Sequence, residues 1–80
     1  MAFNMQAQAE RAELLSEDTY GIKMRKLRLD RGMRIQDAAD ATGVSRTTYN
    51  LYELGERRPC DKIKLRICKV FDVPIATLFY

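Results

Sequence analysis

Three features of the 80-residue sequence predict an all-α fold, a bundle of five short helices. Apolar residues recur every three or four positions, as in Tyr49 and Tyr52 or Ile63, Ile67, Val70 and Phe71. Breakers separate these runs at Gly32, Gly43, Gly55 and Asp72-Val73-Pro74. Capping residues precede them, with Ser16, Asp18 and Thr19 before the first run, Ser45 before the third and Asp61 before the fourth.

Residues 1–18 read as an extension and residues 19–80 as the domain. The extension is rich in Ala, Gln and Glu, with Phe3, Ala7, Leu14 and Leu15 spaced for a weakly amphipathic helix. It reads either as a frayed leader or as a sixth helix that packs on the domain or on a second subunit. The first domain helix is expected from Tyr20 to about Arg31, with Tyr20, Met24, Leu27 and the Arg28 stem on one side and Lys23, Lys26 and Arg31 on others. Met33-Arg34-Ile35-Gln36 opens a second helix, which runs to about Thr42 through Ala38, Ala39 and Ala41, small enough for another helix to approach closely.

Gly43 is suited to the left-handed closure of that helix, with Val44 as an apolar plug. Ser45 then caps a third helix from Arg46, a helix-turn-helix arrangement. Tyr49, Tyr52 and Glu53 form its buried face, leaving Arg46, Thr47, Asn50, Leu51 and Leu54 outside. Hydrogen-bonding side chains turned outward at a helix amino end have the geometry to reach base edges in a DNA major groove. After the loop Glu56-Arg57-Arg58-Pro59, a fourth helix capped by Asp61 carries Ile63, Ile67, Val70 and Phe71 inward, with Lys62, Lys64, Arg66 and Lys69 over its outer side. Ile75, Leu78 and Phe79 mark a last short helical turn.

Composition narrows the function. The net charge of +3 conceals a division, because residues 1–18 carry −3 while residues 19–80 hold 13 basic and 7 acidic side chains, a net +6. A basic domain favours a polyanionic partner. No apolar run is long enough to span a bilayer and the start lacks the pattern of a secretion signal, so a cytoplasmic location is expected. Cys60 and Cys68, with no histidine in the chain, cannot make a four-ligand zinc site, and both are expected to be reduced, with Cys68 in the core. No enzyme is expected, since there is no histidine, no phosphate-cradling glycine loop and no metal constellation. No cofactor and no small-molecule substrate are implied.

Gly32, Ala39, Gly43-Val44-Ser45, Tyr49, Tyr52-Glu53, Gly55 and Pro59 fall at the spacings of the phage repressor and Cro (Xre-type) helix-turn-helix family, which residues 20–79 resemble. The resemblance implies a lambda-repressor-like five-helix bundle that binds double-stranded DNA as a transcriptional regulator, most often a repressor, in dimeric form. It places Arg46, Thr47, Asn50 and Leu51 at base-reading positions, with a phosphate as the alternative for Asn50, and Arg57 and Arg58 at the DNA backbone, with a base as the alternative for Arg57. Arg34 and Gln36 are further phosphate candidates, and Thr48 serves either a phosphate or the helix cap. The resemblance also pairs Arg28 with Glu53, joining the first helix to the third. The sequence departs from the family at Arg34, where Ser or Thr is usual, and at Ile35, where Gln is usual. Those departures, with Leu51 and Leu54 on the presumed DNA face, leave a second reading open, a protein-interaction module such as an antirepressor, an antitoxin or a partner-regulated subunit.

Overall fold

Helices α1 (Tyr20–Asp30), α2 (Ile35–Thr42), α3 (Arg46–Glu53), α4 (Asp61–Phe71) and α5 (Ile75–Phe79) follow one another in a computed structural model that describes residues 19–80. Among the described residues there is no strand. Both readings of residues 1–18 lie outside the described residues. The family-like five-helix order is present, with each break where a glycine, a proline or a capping residue predicts it.

Met24 and Leu27 of α1, Ala38 and Ala39 of α2, Tyr49 and Tyr52 of α3, Ile67, Cys68 and Phe71 of α4 and Leu78 of α5 form one buried cluster. The two alanines are wholly buried, and their small side chains let α2 lie close against its neighbours. Cys68 is a core residue and Cys60 is exposed, and both are free thiols. Burial raises the Cys68 thiol above its ordinary pKa, because the interior disfavours a thiolate.

Three expectations about charged residues are corrected. Lys23 is buried rather than on a solvated side, with its ammonium donating to the Thr77 carbonyl at 2.8 Å and so tying α1 to α5. Lys64 is buried too, because the chain end turns back over α4: its Nζ lies 5.6 Å from the Phe79 ring centre and 5.2 Å from that of Tyr80. A long apolar stem with a cation over aromatic faces is a stable way to bury a lysine. Asp61 does not cap α4. Cys60 takes the cap position with extended backbone and Asp61 falls one residue inside, in the first turn, where the helix dipole favours a carboxylate.

The far end of α4 is closed by a contact that links distant parts of the chain. Asp72 adopts the left-handed conformation at φ 56°, and the Arg31 guanidinium donates to the Phe71 carbonyl at 2.6 Å, one of the groups a helix end leaves unpaired. Arg31 also lies over the Phe71 ring, 5.6 Å from its centre.

Of the four glycines Gly21 makes the closest approach to a neighbouring helix. A Cβ there would overlap the Glu53 carbonyl oxygen and lie 2.7 Å from that of Tyr52, so α1 rests directly on the backbone at the end of α3. Backbone cannot rotate away as a side chain can. Gly21→Ala should therefore destabilise the domain by about 1–3 kcal/mol despite alanine's better helix propensity. Thermal unfolding checks this: an unchanged or raised Tm would contradict the contact.

Candidate nucleic-acid interface

The turn between α2 and α3 is fixed by backbone chemistry. Gly43 sits at φ 76°, its N–H bonding the Asp40 carbonyl at 3.2 Å, and the next N–H, of Val44, bonds that of Ala39 at 3.1 Å. A side chain at Gly43 would meet both this left-handed backbone and the Arg66 guanidinium, 3.1 Å from where a Cβ would stand. Ser45 caps α3 as expected: its hydroxyl accepts the Thr48 N–H at 3.1 Å and donates to the Thr48 hydroxyl at 2.9 Å. Thr48 is thereby part of the cap, where its hydroxyl accepts and keeps its own proton to donate.

Tyr49 and Tyr52 anchor the inner face of α3. Below them Arg28 of α1 meets Glu53 through two parallel bonds, Nε to Oε2 at 2.7 Å and Nη2 to Oε1 at 3.1 Å. The two side chains are only 9% and 5% exposed, which makes this a buried, directional pair rather than a surface one. Nη1 of Arg28 also donates to the Met33 carbonyl at 2.9 Å, so one guanidinium joins α1, the turn before α2 and α3. The bond to Glu53 raises the Arg28 pKa, which keeps the cation charged despite burial. The Tyr49 hydroxyl is buried beside this pair without a partner of good hydrogen-bond geometry, and burial, reinforced by Glu53, holds its pKa far above that of a free phenol.

With its inner face held, α3 presents Arg46 and Thr47 as exposed side chains at its amino end. Asn50 and Leu51 are half-buried, which corrects the expectation that both stand wholly outside. Each is next in sequence to a buried tyrosine, about 100° round the helix, and so stands at the border between the inner and outer faces. The exposed apolar patch expected from Leu51 and Leu54 thus reduces to Leu54, at 59% exposure.

Arg57 and Arg58 are exposed in the following loop. Tyr20 sets that loop in place, its hydroxyl donating to the Arg57 carbonyl at 2.9 Å and its ring lying under the Arg58 guanidinium, 5.5 Å from ring centre to guanidinium carbon. Among the described residues no carboxylate lies within ion-pair distance of Arg46, Arg57 or Arg58. The amino end of α2 differs. Arg34 is 82% exposed, but Asp37 accepts its Nε at 3.1 Å, its Nη2 at 3.0 Å and its backbone N–H at 2.9 Å. Arg34 cannot accept in return, so only the Asp37 half of a capping box exists. Its guanidinium and N–H hold the Asp37 pKa below the ordinary carboxylate range. Gln36 likewise gives its amide to Asp40 at 2.8 Å.

Sequence reasoning missed Tyr20, Gly21 and Asp37 as organisers of this surface. An acid three residues after a helix cap is a visible signal for Asp37. Nothing local links Tyr20 to a loop 37 residues away. Among the described residues no cluster could hold a metal ion, and no helix is long and apolar enough to cross a membrane.

Because Glu53 would be stranded as a buried charge, Arg28→Ala should cost about 3–5 kcal/mol in urea unfolding. A loss below about 1 kcal/mol, the range of exposed pairs, would contradict the burial.

Comparison with known proteins agrees with this geometry. A family model described as "Helix-turn-helix" matches residues 24–78. The chain is 34% identical over 59 residues to a protein named cryptic phage CTXphi transcriptional repressor RstR of Vibrio cholerae, covering 74% of this chain and 53% of that protein. It is 35% identical over 56 residues to an uncharacterized HTH-type transcriptional regulator, YqaE, of Bacillus subtilis (strain 168), covering 70% of this chain and 48% of that one. The chain thus spans about half the length of these curated relatives. With its two alanine-packed helices, glycine turn and Ser45-capped third helix, the chain belongs to the phage repressor and Cro (Xre-type) helix-turn-helix family.

Proposed function

We propose that this chain binds double-stranded DNA sequence-specifically and regulates transcription, as a repressor acting in dimeric form. The observation that carries the reading is the amino end of α3, where Arg46 and Thr47 stand free in solvent while the opposite face is locked by Tyr49, Tyr52 and the Arg28–Glu53 pair. A rigid helix with unpaired polar groups at its start suits insertion into a major groove. Arg46 is suited to a bidentate contact with guanine, Thr47 to a hydroxyl contact or a thymine methyl, Asn50 to adenine and Leu51 to a thymine methyl. Arg57 and Arg58 contact phosphates through a loop that Tyr20 holds in place, with Thr48, Arg34 and Gln36 as secondary phosphate contacts. A homodimer sets two copies of α3 about one helical turn apart on a pseudo-palindromic site and blocks polymerase. This work is cytoplasmic.

The second reading, a protein-interaction module on the same fold, loses support, because its apolar patch shrinks to Leu54 alone. Titrating duplex DNA at two salt concentrations separates the two. A DNA binder loses affinity steeply as salt rises, and an apolar docking face shows little DNA binding at either.

Selection of bound sequences from a random duplex pool tests the proposal. The wild type should enrich a palindrome, and Arg46→Ala should relax one position in each half-site, at about 1–3 kcal/mol of lost discrimination. Enrichment of no motif would contradict the reading.

A further inference from the structure

The cations of the proposed DNA face are not equivalent. Arg46, Arg57 and Arg58 have no acidic partner among the described residues, whereas Arg34 at the start of α2 is held by both oxygens of Asp37, at 3.0 and 3.1 Å. That pair lies in solvent, with the Arg34 side chain 82% exposed, so water and salt weaken it and a phosphate can take its place. The geometry matters as well as the charge. A carboxylate gripping a guanidinium fork side-on occupies the same donors that a phosphate would use.

We propose that Asp37 is a determinant of DNA affinity and specificity, an intramolecular competitor that withholds Arg34 from phosphate. The inference rests on the DNA-binding reading and refines it by naming which cations act on any duplex. Non-specific binding is carried by the unmatched arginines of α3 and the following loop. Arg34 joins them only where the backbone is close enough to displace Asp37, so the pair discounts loose encounters more than a well-fitted complex. Asp40, which accepts from Gln36 one turn further along, keeps the second polar side chain of this helix end similarly engaged. The design lowers affinity for random DNA without touching the reading residues.

The test is the salt dependence of binding to random duplex DNA by the wild type, Asp37→Asn, Arg34→Ala and the double variant, with Asp72→Asn as a control. Asparagine at 37 still accepts the Arg34 backbone N–H, so α2 keeps its cap. Asparagine at 72 suits the left-handed backbone there and removes an equal charge at the far end of α4. The expected result is a slope of log affinity against log salt steeper by about 0.9 for Asp37→Asn, one further phosphate contact. Binding at low salt should tighten with it. In the Arg34→Ala background the same change should produce no steepening, and Asp72→Asn should leave the slope at the wild-type value. An unchanged slope in Asp37→Asn, or a gain that persists without Arg34, overturns the proposal while leaving DNA binding intact. No salt-dependent binding by any of the proteins overturns both.

Discussion

The Arg28–Glu53 pair is the constraint on which the placement of α3 depends. A two-turn helix is too short to be stable by itself, so its direction must come from tertiary contacts. Tyr49 and Tyr52 bury it, but packing is non-directional and permits rotation about the helix axis. Two parallel hydrogen bonds from a planar guanidinium do not permit it. Because the same guanidinium holds the Met33 carbonyl, α1, the approach to α2 and the end of α3 are referenced to one group. A buried ion pair contributes little net stability once desolvation is counted, and its value here is geometric.

Gly21 and Tyr20 extend that reference to the loop. The missing side chain at Gly21 lets α1 rest on the carbonyls of Tyr52 and Glu53, and the neighbouring Tyr20 reaches past them to Arg57 and Arg58. Residues at the very start of α1 therefore set both the end of α3 and the arginines that follow it. The proposed reading helix and the proposed phosphate loop are positioned as one body. Close to Tyr20, whose ring packs on that of Phe79, Lys23 and Lys64 are held by α5 and the chain end, and Arg31 closes the far end of α4, so these three cations are structural rather than available to a ligand.

Much of this was legible in the sequence because it is local. Gly43, Ser45 and Asp72-Val73-Pro74 each impose a backbone conformation on their own neighbourhood, and the helices begin and end there. The spacing of Tyr49, Tyr52 and Glu53 is a property of one helix, so its inner face could be assigned directly. What escaped depends on where distant segments meet. Lys23 and Lys64 look like solvated charges until α5 folds back over them. Asn50 and Leu51 look exposed on a helical wheel, which has no neighbours to shade them. Asp61 looks like a cap, yet the extended residue before α4 is Cys60, following Pro59, and a one-residue offset of this kind is beyond the resolution of pattern reading. The Arg28–Glu53 pair was expected from the family resemblance, and its burial required the packed structure.

If the pair orients α3 rather than merely stabilising the bundle, orientation and stability can be separated. Replacing both members, Arg28→Met with Glu53→Met, removes the directional bonds and leaves no stranded charge. The decisive measurement is the affinity of that double variant for the duplex selected by the wild type, alongside its Tm. Its Tm should stay close to that of the wild type while its affinity falls about tenfold or more, a change of roughly 1.4 kcal/mol. Unchanged affinity at unchanged stability would contradict an orienting role for the pair, because packing alone would then suffice to aim α3.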